Sequence, residues 1–149
     1  MSPPLLAGAD LIAKGVEAFS RNHVYLACSC FTQAVEEERS PRSLSYLGLC
    51  RALTGGDPGE ALGLCREAVS REPESPEHYL NLGKVLVLAG RCDEAIDVFR
   101  EGMKRGSHPG IAAELALLGI RKPPVFSRLP RSHPLNKYAG LLLSRLGLR

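Results

Sequence analysis

Five cysteines, at positions 28, 30, 50, 65 and 92, and four histidines, at 23, 78, 108 and 133, are the side chains of this 149-residue chain best suited to thiol chemistry or metal ligation. Structural zinc favours ligand pairs a few residues apart, because one element then presents two donors to a tetrahedral ion. No C-x-x-C pair occurs, and Cys28 and Cys30 stand two residues apart, so on a helix their thiols diverge. The histidines are scattered, with none at i, i+4 spacing and no cysteine placed to join them. An odd thiol count without a pairing framework fits free cysteines in a reducing compartment. No metal and no cofactor is expected.

Other chemistries fail on spacing as well. The chain contains no G-x-S-x-G, P-loop or H-E-x-x-H pattern. The run Glu36-Glu37-Glu38 reads as a solvated helix end. Gly55-Gly56-Asp57-Pro58-Gly59 reads as a turn, since no lysine follows where a phosphate-binding loop would need it. No catalytic residue is assigned, and the chain is expected not to be an enzyme. No apolar run approaches the ~20 residues a membrane helix needs, and the start Met1-Ser-Pro-Pro-Leu-Leu-Ala lacks the look of an export signal, so the expected location is cytoplasmic.

What the sequence does carry is a period. Ala27, Ala61 and Ala95 lie 34 residues apart (61 − 27 and 95 − 61), each inside a similar frame. Phe31, Cys65 and Phe99 follow four residues later, and Ala34, Ala68 and Gly102 three further on, with Val35, Val69 and Met103 next. Residues three and four apart share a helix face, so this spacing draws one small-residue stripe per helix. A second set precedes it, Gly15, Gly48 and Gly83, each on an earlier helix. Glycine there lets a facing helix pass close. The spacing from glycine to alanine is 12 residues in the outer units (27 − 15 and 95 − 83) but 13 in the middle one (61 − 48), which places an extra residue in the Gly55–Gly59 turn.

Three units follow: about 8 to 41, 42 to 75 and 76 to 109, each a helix, a turn and a second helix. The first helix opens near Asp10, whose carboxylate is expected to cap it, and buries Leu11, Gly15 and Ala18. Beyond Pro109, the apolar stretch Ile111–Ile120 is a candidate capping helix for the end of the array.

The chain resembles the tetratricopeptide repeat family over about residues 8 to 109. The third unit carries most of the likeness, with Tyr79, Leu82-Gly83, Ala95, Phe99 and Pro109, and Leu86 where the family has tyrosine. The second keeps Leu47-Gly48, Ala61, Ala68 and Pro73 with Cys65 at the phenylalanine position, and the first keeps Gly15, Ala27, Phe31 and Ala34. The resemblance implies an all-α solenoid of three helix-turn-helix repeats with a capping helix, acting as a non-catalytic scaffold or adaptor that grips a protein or peptide on a concave face. First helices line that face in the family, which puts Ile12, Val16, Phe19, Arg42, Tyr46, Leu49, Asn81, Lys84 and Leu88 forward as partner-binding residues. Relatives that hold a chaperone C-terminus use lysine and asparagine there. Ile12 and Val16 are neither, which argues against that partner.

The domain reading is a repeat domain over 8–120 and a proline-interrupted basic tail over 121–149. Residues 1–109 carry 12 Lys/Arg against 15 Asp/Glu (−3), whereas 110–149 carry 7 against 1 (+6). Leu135, Tyr138, Leu142 and Leu146 give the tail a short amphipathic helix. The alternative function is therefore a peripheral membrane or acidic-surface binder acting through the tail. With few aromatic residues among its cations, the tail is not expected to read nucleic-acid sequence.

Overall fold

In a computed structural model of the chain, which describes residues 7–119 and 134, seven helices follow one another with no strand among the described residues. They are α1 (Gly8–Ser20), α2 (Val24–Glu37), α3 (Pro41–Leu53), α4 (Pro58–Arg71), α5 (Pro76–Leu88), α6 (Cys92–Arg105) and α7 (Pro109–Gly119). The chain divides after Leu115 into two units, and the three helix pairs belong to the first. Apart from Pro134, the expected tail, with its amphipathic helix and membrane reading, lies outside the described residues. No helix among the described residues is long and apolar enough to cross a membrane.

Helix starts follow from local chemistry. Pro41, Pro58 and Pro76 open α3, α4 and α5, where a missing amide hydrogen costs nothing because that amide has no helical partner. Ser40 and Asp57 cap the first two, their side-chain oxygens accepting from the amides of Ser43 at 3.3 Å and Glu60 at 2.8 Å. Asp10 does not cap α1. The helix begins two residues earlier, after Ala7, and Asp10 lies inside the first turn, where its charge opposes the dipole's positive end. Pro109, expected to close the third unit, instead opens α7. The extra residue of the middle unit sits in its turn: residues 54–57 join α3 to α4, against 21–23 and 89–91 in the other pairs.

The alanine and glycine stripes are the seam of each pair. Ala27, Ala61 and Ala95 are fully buried, as are Phe31, Cys65 and Phe99. A Cβ on Gly15 would lie 2.8 Å from the Phe31 ring, and one on Gly83 would lie 2.6 Å from Cδ1 of Phe99. Both are inside van der Waals contact, so no other residue fits without moving the ring. In the middle pair, Cys65 takes the ring's place and leaves less bulk. There a Cβ on Gly48 would meet Sγ of Cys65 at 2.6 Å and the backbone oxygen of Ala61 at 2.7 Å. The smaller side chain lets the helices themselves touch.

Candidate functional site

The first helices α1, α3 and α5 supply every residue proposed for partner binding, and packing places these residues in different surroundings. Ile12, Val16, Phe19 and Tyr46 are partly buried against the core cluster of Ala18, Ala27, Phe31, Leu47 and Cys50. Tyr46 stacks on Phe31 with ring centroids 5.0 Å apart and meets Phe19 edge-on at 5.8 Å. Its hydroxyl donates to Oε1 of Glu77 at 2.6 Å, while Arg42 reaches Oε2 of the same carboxylate at 3.3 Å. Burial, and then that hydrogen bond, hold the Tyr46 hydroxyl above its ordinary pKa.

Two expectations need correction. Leu49 and Asn81 are buried, at 1% and 3% exposure, and are not free positions on a binding face. Asn81 donates through Nδ2 to the Ser45 hydroxyl at 2.9 Å, so its amide ties α5 to α3. Such a buried polar pair joins consecutive repeats, because leaving either group unmatched costs more than forming the bond returns. Nearby, His78 places Nε2 2.6 Å from Oε2 of Glu72, and its Nδ1 is buried without a hydrogen-bond partner among the described residues.

Lys84 and Leu88 do come together, in a groove of about 180 Å³ that they share with Leu53, Val87 and Glu114. Leu53 closes α3 and Leu88 closes α5, each five residues beyond its unit's glycine (48 + 5 and 83 + 5), so the repeat itself sets them side by side. They are 44% and 53% exposed, which makes them two of the five large apolar side chains left open among the described residues. Glu114, one turn into α7, faces them. Neither Leu53 nor Glu114 is among the residues put forward from the sequence for partner binding. The signal that marks Leu53 is its match in repeat position to Leu88.

Cys30, Cys50 and Cys65 are buried, and burial pushes the Cys50 and Cys65 thiols up to about 12. No cluster of three or more metal-ligating side chains occurs among the described residues.

A tetratricopeptide repeat family model matches residues 46–108, which is the second and third helix pairs without the opening turn of α3. These are tetratricopeptide repeats. The array is similar to the tetratricopeptide domain of Sgt2 from Aspergillus fumigatus, at 16% identity over 91% of this chain and 99% of that one, with a TM-score of 0.65. It is also similar to the first repeat domain of Spaghetti (RPAP3) bound to the HSP90 peptide SRMEEVD, at 16% identity over 76% and 90% of the two chains and a TM-score of 0.62. A third likeness is to the TPR2B domain of yeast Sti1 in complex with pHsp70, at 14% identity over 77% and 98%, with a TM-score of 0.63. At these identities the likeness is one of fold. The three-repeat, all-helical array expected of the sequence is the one found.

Proposed function

We propose that this tetratricopeptide array is a non-catalytic interaction module that grips a partner polypeptide at the C-terminal ends of α3 and α5. Leu53 and Leu88 are its apolar anchors, and Lys84 and Glu114 select the charges beside them. One observation carries this reading: two exposed leucines in equivalent repeat positions share a groove with a cation and an anion that make no ion pair among the described residues. Exposed apolar side chains beside uncommitted charges are what an interface core and its polar rim require. Arg42 serves differently, since its charge is shared with Glu77.

The Spaghetti domain is bound to an HSP90 peptide and the Sti1 domain is in complex with pHsp70, and that supports polypeptide binding as the general role. The chemistry of the first repeat speaks against a terminal-carboxylate grip, because Ile12 and Val16 face the core cluster. The test is selection of a random peptide library on the full chain, with the selected peptides titrated against Leu53→Asp and Leu88→Asp. Each substitution should weaken binding at least tenfold with the urea midpoint unchanged, and SRMEEVD should show no saturable binding. Peptides that bind both variants as tightly as the parent would place the site elsewhere.

A further inference from the structure

A larger groove, of about 570 Å³, lies between α2, α3 and α4. Leu47 and Arg51 of α3 line it. Arg51 precedes Leu53 by two residues, a turn of about 200° around the helix axis, so this groove opens on the other side of α3 from the Leu53 groove. Its apolar floor is Leu47 with Val35 and Leu64, which are the half-buried margin of the core cluster. Ion pairs mark its two ends: Arg39 with Glu67 at 2.7 Å, and Arg51 with Glu60. Glu60 and Glu67 are seven residues apart on α4, so the groove runs about 10 Å, or two helical turns.

Gly63 sits on the wall of this groove, in the interior of α4 and exposed. Glycine is the poorest interior helix former after proline, so its presence needs a reason. Elsewhere in the array the reason is visible: a Cβ at Gly15, Gly48 or Gly102 would stand 2.6 to 2.8 Å from a packed neighbour. At Gly63 a Cβ would meet nothing within 4 Å. Its backbone is ordinary helix, with no left-handed φ to favour glycine. The equivalent positions of the outer repeats (63 − 34 and 63 + 34) are Ser29 and Asp97. The described residues make no use of the missing side chain.

We infer that the groove seats an α-helix of a partner protein, whose backbone crosses α4 at Gly63. A bare helix surface lets a second helix approach to the short end of the usual 8–10 Å spacing. Over two turns such a helix lays aliphatic side chains at i and i+3 or i+4 on Val35, Leu47 and Leu64. The charges fix what flanks them. Arg71 adds a second cation at the Arg39 end, 3.7 Å from Glu67, and donates to the Arg39 carbonyl. Three guanidiniums, Arg39, Arg51 and Arg71, therefore face two carboxylates, Glu60 and Glu67. The matching helix is amphipathic and carries an acidic residue toward the Arg39 end. Arg39 holds Glu67 through two hydrogen bonds, Nε to Oε1 at 3.0 Å and Nη2 to Oε2 at 2.7 Å, but with the two side chains 54% and 35% exposed the cluster stays open to a further carboxylate from the partner. With the Leu53 groove on the other side of α3, the array can hold two partners at once.

The test uses a phage-displayed library of amphipathic helices selected on the full chain, followed by titration of the selected helices. Expected are helices with an aliphatic i, i+3/i+4 stripe and an acidic flank. They should bind Gly63→Trp at least tenfold more weakly, bind Leu88→Asp unchanged, and lose their acidic preference on Arg39→Glu. Gly63→Trp should keep its helix content and urea midpoint, since the space it fills is open. If it does not fold, Gly63→Ala decides: its melting temperature should rise while helix binding weakens severalfold. No selected helix, helices indifferent to Gly63, or helices lost on Leu88→Asp would each overturn the inference.

Discussion

Phe99 and Gly83 offer the sharpest check on how the repeats pack, because each explains the other. Phe99→Ala removes a fully buried ring from the α5–α6 seam, and truncations of this kind cost about 3–5 kcal/mol from lost burial and the cavity left behind. Gly83→Ala pulls in two directions. Helix propensity favours alanine by about 1 kcal/mol. The new methyl, however, falls 2.6 Å from Cδ1 of the ring, and overpacking of that kind costs about 1–3 kcal/mol. The single substitution should therefore be neutral to destabilising. Without the ring the collision is gone and the methyl enters the space the ring left. In the Phe99→Ala background, Gly83→Ala should then stabilise by about 1 kcal/mol or more. The sign reverses, with a coupling of about 1–3 kcal/mol. Urea unfolding of the full chain under reducing conditions, followed by far-ultraviolet circular dichroism, measures all four corners. Since a domain has only about 5–15 kcal/mol to lose, Phe99→Leu replaces Phe99→Ala if the latter is too unstable to measure. Effects that add to within about 0.5 kcal/mol would mean that the ring does not lie on Gly83 and that the helix phase is wrong.

Asp57→Ala should cost about 1 kcal/mol, read in the same unfolding assay, because it removes the cap that Glu60's amide donates to. The Cys50 and Cys65 thiols, pushed up to about 12 by burial, should resist an aromatic disulfide reagent at pH 8 until urea unfolds the chain; rapid labelling of all five cysteines in the native state would contradict the burial. The same two thiols set an alkaline limit. Above an ordinary thiol value of about 9 the unfolded chain loses protons that the folded chain keeps, so stability should be full below pH 9 and fall as pH rises toward 12. The urea midpoint measured from pH 8 to 10 should decline, and less steeply once both cysteines are replaced by alanine.

The packing of each repeat was legible because it is periodic. Ala27, Ala61 and Ala95 with their glycines mark one stripe per helix, and a stripe has only one way to face a partner helix. What lies between repeats was not. Leu49 and Asn81 share a first-helix face with Leu88, and whether a side chain there is open or covered depends on neighbours 30 or more residues away, such as Ser45 for Asn81. Glu114 looked idle within an apolar helix because the leucines whose groove it lines belong to other helices. The cap at Asp10 failed for a local reason: capping depends on where a helix starts, and α1 starts after Ala7. Gly63 is the reverse case, an ordinary letter in the sequence that acquires meaning only once the space around it is known.

The turn between α3 and α4 is the longest within the helix pairs, and Gly55 in it is left-handed, with φ +82° and no atom within 4 Å of where a side chain would begin. Lengthening a surface loop costs little, roughly 0.6 kcal/mol for each doubling. Foreign sequence spliced in there, whether a fluorophore tag or a tethered ligand, would leave both flanking helices intact. Leu53 is the last residue before this turn, so such an insert would hang directly over the leucine groove and could act as a leash for whatever binds it.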